Sequence, residues 1–427
     1  MALPAAGRAV LRPAEGALAA HATNVPASPR SLGPVTAIVA LLLLLGLQPI
    51  TTDLMLTALP ALATDLRVPL APVQMTMSAL ILAFGLAQLA VGPLSDRFGR
   101  RPVLLVGLTL YLLACVGVAL ATQIDQVVVW RGVQGAAMAA AVVCGRAMVR
   151  DLYTPAQGGQ VMARALGGLG VIAIVCPPLS GALVSLAGWR AAIGAMAVSG
   201  TLALAFVVWR LPETAERLRP DALRLAPLLR QTRAILGHRS FLAWAALVTC
   251  SYGGLFVFLS GSGIVLIRVL RLSPTLAGAV ISLCAAGYIA GTLLARRWIA
   301  RHGLANAVVR AAGFSALACA LQLAQAWADI RSVWAVMLPV VVYTFGHGVH
   351  QPCGQTGAVA SFPAAAGQAS ALAGFITAAV AFFIGLWFGQ ALDGTTRPLA
   401  LGMGIAAGLT ALVAWTAVRR FGEGDHG

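Results

Sequence analysis

Of thirteen acidic residues, Asp53 alone falls well inside a long apolar run, about seven residues short of Pro60. An isolated carboxylate in hydrocarbon is costly to ionise, so such a residue points to proton or ion chemistry by default. Arg131 lies six residues in from Asp125, within another apolar run. If that run crosses in the opposite direction, both side chains sit ~10 Å below the same surface, at a rise of about 1.5 Å per residue. The matching depths predict a pair. A pair that forms in one state and separates in another links proton uptake to conformation, because an unpaired, desolvated carboxylate gains affinity for a proton. A fixed ion pair holding two helices together is the plainer alternative.

A second candidate is "YTFGHGVHQP", which sets His347 and His350 three residues apart on one helical face. With unperturbed pKa values near 6.5, they either titrate in the physiological range and contact substrate, or stand as satisfied histidines of a cavity wall. Two such ligands with no carboxylate or thiol beside them do not make a metal site, and no metal is expected. The seven cysteines are scattered singly, without metal or disulfide spacing. All 29 basic residues are Arg, so a phosphate-binding GxxxxGK[ST] loop is impossible. "LSGSG" at 259–263 reads as helix packing rather than a nucleophile elbow. The chain is therefore read as neither a primary ATP-driven pump nor an enzyme, and as needing no cofactor beyond a proton gradient.

The elements that carry these residues must be membrane helices. The 427 residues are 59% hydrophobic and only 10% charged, with a mean hydropathy of +0.89, against about 25% charged in ordinary soluble domains. Apolar runs fall at 34–58, 73–94, 102–121, 126–148, 162–186, 191–210, 240–263, 275–295, 306–327, 332–352, 367–391 and 398–418. Each matches the ~20 residues that cross a bilayer. The fold class is all-α: a polytopic bundle of twelve spans in two six-helix halves.

Charge sets the orientation. With the N-terminus inside, inner segments hold Arg97, Arg100, Arg101, Arg150, the cluster from Arg210 to Arg239, Arg296, Arg297, Arg301, Arg310, Arg419 and Arg420. Outer loops hold only Arg67, Arg190, Arg268, Arg271, Arg331 and Arg397. This positive-inside bias predicts two cytoplasmic termini. The net charge of +16 is explained by topology, since the arginines sit in loops between spans and form no single basic face. Nucleic acid is accordingly not an expected partner; lipid, protons and a small molecule are, with the chain acting as a monomer. The first residues, rich in Ala and Pro, do not resemble a signal peptide.

The polar stretch 211–239 divides the chain. The expected parts are a cytoplasmic tail 1–33, a bundle 34–210, a cytoplasmic loop 211–239, a bundle 240–418 and a tail 419–427. An internal echo supports the halving: Gly92-Pro-Leu-Ser-Asp-Arg resembles Gly291-Thr-Leu-Leu-Ala-Arg, with the acid replaced by Ala295. Parallel repeats of this kind are a transporter architecture. Gly92 is expected to let helices approach closely, while Asp96 and the arginines after it bond to helix ends of the opposite half and latch one state. Arg146 and Arg150 are expected to snorkel to the interface, with Asp151 neutralising one of them. In "GGLGVIAIVCPPLSG" the glycines allow tight crossing and Pro177-Pro178 bends the helix, as a packing kink or a leak-preventing hinge.

"GPLSDRFGRRPVLLVG" resembles the loop 2–3 signature of the major facilitator superfamily at Gly92, Asp96, Arg97, Gly99, Arg100 and Arg101. "TTDLMLTALPALATDL", "RGVQGAAMAAAVVCGRAMVRDL" and "GWRAA" resemble, in that order, the Bcr/CflA branch of drug:proton antiporters. Met55 stands where that branch usually has Tyr, Thr57 where it often has Pro, and Ser180 where a Gly is usual. The resemblance implies a carrier in a bacterial inner membrane that exports small, often uncharged antibiotics against proton entry. It implies that Arg131 with Gln134-Gly135 belongs to a proton-coupling motif, and that Gly170, Pro177, Pro178 and Gly181 form an antiporter hinge. Expected cavity residues are Met55, Gln88, Gln134, His347 and His350. Export of a native solute, such as a sugar, amino-acid derivative or secondary metabolite, and a sensor without turnover are the alternatives.

Overall fold

The computed structural model describes residues 32–215 and 218–422. Most of the expected N-terminal tail, Arg217 and the last five residues lie outside the described residues. Before the polar segment come α1 (Pro34–Leu56), the short α2 (Leu59–Asp65), α3 (Leu70–Phe98), α4 (Arg100–Leu120), α5 (Ile124–Leu152), α6 (Pro155–Ala187) and α7 (Trp189–Arg210). The segment itself carries α8 (Leu225–Leu236). After it come α9 (Arg239–Ile264), α10 (Pro274–His302), α11 (Leu304–Ala328), α12 (Val333–Ala360), α13 (Ala366–Ala391) and α14 (Arg397–Val413). Twelve helices among the described residues are long and apolar enough to cross a bilayer. Several run well beyond the apolar runs, because a helix satisfies its own backbone and continues into the interface until a breaker stops it.

The breakers expose the repeat. Arg67 before α3 and Arg271 before α10 both adopt left-handed backbone, with φ of 54° and 59°. Gly99 after α3 and Gly303 after α10 close their helices with φ of 97° and 79°, which only glycine takes without strain. Both helices are 29 residues long, so the two copies align at a constant offset: 271 − 67 = 303 − 99 = 204. Asp96 therefore corresponds to Ala300 and Arg97 to Arg301, and the sequence pairing of Gly92 with Gly291 is five residues out of register. Those glycines share a letter without sharing a place. Gly291 lies against the Phe345 carbonyl, whereas a Cβ on Gly92 meets nothing within 4 Å, so Gly92 supports no close helix approach.

The bundle end that bears Gly99 and α8 is called here the hairpin end, and its opposite the far end. The halves meet mainly through α3 on α13 and α6 on α10. The second contact is reciprocal: a side chain on Gly181 would collide with the Pro274 backbone, and one on Gly278 with the Pro177 backbone. The expected bend at Pro177-Pro178 does not interrupt α6, which runs unbroken from Pro155 to Ala187. Pro178 has no N–H for the Ile174 carbonyl four residues back. The Ser282 hydroxyl of α10 donates to that carbonyl at 2.7 Å, so the donor lost within one helix becomes a bond between halves.

Nearer the far end, Gly263 of α9 sits on the Leu56 carbonyl. Gln74 Nε2 donates to the Ser260 carbonyl at 2.5 Å, and Arg268 Nη2 donates to the Pro60 carbonyl at 2.8 Å and to Thr64 Oγ1 at 2.6 Å. Ser185 and Thr275 hydroxyls lie 3.4 Å apart. Among the described residues every hydrogen bond between the halves lies from the level of Ile174 to the far end. The structure is closed at the far end.

Substitution of Gly278 by Leu drives a side chain into the Pro177 backbone and is expected to destabilise the protein by about 1–3 kcal/mol, whereas Gly92→Ala is expected to be neutral within about 0.5 kcal/mol. Thermal unfolding of the detergent-solubilised variants checks both; equal effects would contradict the assignment of the tight crossing.

Candidate functional site

A cavity of about 80 Å³ lies between the halves, lined by Gln48, Phe84, Gln88 and Arg146 from the first half and by Val248, Tyr252, Gln351 and Thr377 from the second. The helices bring these residues to one level between the middle of the bundle and the hairpin end. The apolar wall of Ile81, Phe84, Val248 and Ala378 offers a surface for a ring. The side chains of Gln48, Gln88, Arg146, Tyr252 and Gln351 make no hydrogen bond within the described protein, and the buried Gln351 Oε1 is left without a donor. That buried oxygen is costly in an apolar interior unless something binds it. A drug-sized ligand needs several hundred cubic ångströms, so the cavity must widen to admit one.

Of the five residues expected to line it, Gln88 does. Met55 is fully buried in the core of the first half. Gln134 accepts a bond from Arg131 Nη1 at 2.7 Å and donates to Cys115 Sγ at 3.1 Å, away from the cavity. His347 Nδ1 pairs with the Ser251 hydroxyl at 2.7 Å and stacks on Tyr343. His350 Nε2 pairs with the Ser315 hydroxyl at 3.0 Å. Both histidines are buried inside the second half, because α12 turns that face toward α9 and α11 rather than toward the first half.

Asp53 and Arg131 are not paired in this structure. Asp53 is buried, held by a 3.0 Å bond from the Thr52 hydroxyl, and Tyr252 and Cys176 are near enough to feel its charge. Arg131 is wholly buried. Its two terminal nitrogens reach the Thr51 carbonyl at 3.4 Å, and its other neighbours are Gln134 and the sulfurs of Met77 and Met196. Depth along the helix axis matches as expected, but azimuth does not. Thr51 and Asp53 are ~200° apart around α1 at about 100° per residue; the Thr51 side chain meets Tyr111 of α4 at 2.6 Å, so the Asp53 face points away from the interior where Arg131 lies. Gly135 lies against the Leu80 carbonyl, bringing α3 onto α5.

The hairpin charges also differ from expectation. Arg100 bonds Asp96 at 2.5 Å, Asp151 at 3.1 Å and the Ser95 hydroxyl at 2.6 Å, all within the first half. Asp151 is thereby occupied and neutralises neither Arg146 nor Arg150. The partner that the sequence reading missed is Glu213, just after α7. Its carboxylate accepts from the backbone N–H of Arg100 at 2.9 Å and of Arg101 at 3.0 Å, capping the N-terminus of α4. The Asp96 carbonyl accepts from Arg219 N at 2.8 Å. None of these bonds crosses to the other half; instead the polar segment crosses, since Gln368 of α13 donates to the Leu228 carbonyl and to Thr232 of α8 at 2.9 and 2.8 Å.

The cavity residues missed in sequence are Gln48, Arg146, Tyr252 and Gln351. Polar side chains inside apolar runs were the available signal, but which of them turn toward the opposite half depends on helix rotation, which sequence spacing does not give.

Glu213→Gln removes the anionic cap from α4 and is expected to cost about 1 kcal/mol, read as a lower unfolding temperature in detergent. An unchanged temperature would mean the cap contributes nothing.

A Major Facilitator Superfamily profile matches residues 41–386. Multidrug resistance protein D of Escherichia coli is 27% identical over 341 residues, which cover 80% of this chain and 85% of that one. A bicyclomycin resistance protein homolog of Haemophilus influenzae is 26% identical over 372 residues, covering 86% and 92%. The crystal structure of a D-xylose-proton symporter superposes with a TM-score of 0.72 over 90% of this chain and 96% of that one, at 15% identity, a likeness of fold alone. The chain thus belongs to the Major Facilitator Superfamily, among relatives of the Bcr/CflA efflux type.

Proposed function

We propose that this protein exports a small amphiphilic or neutral compound across a bacterial inner membrane in exchange for protons. The observation that carries the reading is a cavity between two helical halves, lined by polar side chains without partners, with the buried carboxylate of Asp53 on its far-end side. The resistance proteins among the relatives support drug export in particular. In this reading the arginine-rich hairpin end faces the cytoplasm, and the far-end closure seals the cavity from the outside.

In this reading Asp53 is the coupling group. It takes up a proton from outside water when the far end opens, keeps it while the carboxyl is buried without a counter-charge, and releases it when water from the hairpin end reaches the carboxyl through the cavity. Each proton entering through a potential of 100 mV supplies about 2.3 kcal/mol, before any pH gradient is counted. Arg131 acts as a positioning residue, bonded to the Thr51 carbonyl on the helix that carries Asp53. The protein works as a monomer, with both termini cytoplasmic.

In proteoliposomes loaded with a pH-sensitive dye, chloramphenicol or bicyclomycin is expected to evoke proton movement with the wild type. With Asp53→Asn this flux should fall at least about tenfold, the scale of losing a group on which the coupled step depends, while drug binding persists. Equal flux from both proteins would contradict the role of Asp53, and flux from neither would contradict drug export.

A further inference from the structure

Arg146 is the one charged residue that lines the cavity, and no Asp or Glu lines it. It stands six residues from the hairpin end of α5 and is exposed, although the residues on either side of it, Gly145 and Ala147, are buried. No carboxylate pairs with it among the described residues. The nearest acid in sequence, Asp151, is bonded to Arg100. The cavity therefore holds an uncompensated guanidinium beside free amides and an apolar wall.

A guanidinium in this setting selects by charge. It offers a planar fork of donors that matches a carboxylate in two parallel bonds. A cationic cargo meets the same group as an uncompensated like charge. The amides of Gln48, Gln88 and Gln351 present both donors and acceptors for a polar flank, and Phe84 and Tyr252 flank space for a ring.

We infer that the preferred cargo of this cavity is a small aromatic compound bearing one carboxylate-like anionic group, which docks on Arg146, and that permanent organic cations are excluded. The inference rests on the export reading and narrows its substrate class. A purely topogenic or snorkelling arginine would leave ligand preference untouched.

The test is calorimetric titration of the full-length protein in nanodiscs with three matched probes: 4-nitrobenzoate, 4-nitrobenzamide and 4-nitrobenzyltrimethylammonium. Wild type is expected to bind the benzoate about tenfold or more tighter than the cation, with the amide between them, the difference expected from one charge-assisted contact. Arg146→Gln should collapse that spread to within about threefold, and Arg146→Lys should keep its order while weakening the benzoate, because a point charge replaces the fork. Unfolding temperatures of both variants report whether they are folded, and Arg146→Lys carries the test if Arg146→Gln is not. Tightest binding of the cation, an unchanged spread in folded Arg146→Gln, or no binding of any probe would overturn the inference. Proton flux separates the two claims: drug-evoked flux without the charge order sinks this inference alone, and the charge order without flux sinks the export reading alone.

Discussion

Everything in this structure follows from the demand that backbone polar groups be satisfied where no water can reach them. The helices meet it internally, so the adhesion between halves is left to close backbone approach and to the few groups the helices cannot satisfy. Gly181, Gly263 and Gly278 supply the first. The Ile174 carbonyl freed by Pro178 supplies the second, with Ser282 as its donor. Gln74 and Arg268 add side-chain bonds to carbonyls nearer the far end, so the closure depends on shape and on a small number of polar contacts, which suits an interface that must open.

The same demand sorts the charges. Arg131 is compensated by dipoles alone, a carbonyl, an amide and two sulfurs, and so ties helices of the first half together without a counter-ion. Arg100 sits in a network with Asp96, Asp151 and Ser95, and Glu213 caps the helix it begins. Arg146 alone among these faces open space. Structural charges are the ones whose partners are found; the functional candidate is the one whose partner is missing.

Much of the fold was legible in the sequence, because apolar length is read one residue at a time. Each of the twelve runs falls on one of the twelve long helices, whereas Gly99 was read only as part of a loop signature and not as the stop of α3. The site was less so, for a geometric reason. Asp53 and Arg131 agree in depth, which sequence spacing gives, but their azimuths depend on how α1 and α5 are rotated, which it does not. His347 and His350 share a face as expected, yet which neighbour that face meets is a matter of tertiary packing. Glu213 was invisible as a cap because it follows α7 and acts on α4, more than a hundred residues earlier. The repeat was audible in sequence but misregistered, since Gly92 and Gly291 match in type while the helix ends at Gly99 and Gly303 carry the true alignment.

The central claim is that this far-end-closed state exchanges with one open at the far end. It is tested most directly by pulsed spin-label distances, in a background with the seven native cysteines replaced. One pair of labels belongs in exposed loops of the far end, at Thr122 and Ile330, and one at the hairpin end, at Thr154 and Ser361. The account predicts that protonating conditions favour this far-end-closed state, in which Asp53 is buried without a counter-charge, so that the far-end distance shortens while the hairpin-end distance lengthens. Two distances that stay fixed, or that move in the same direction, would contradict it.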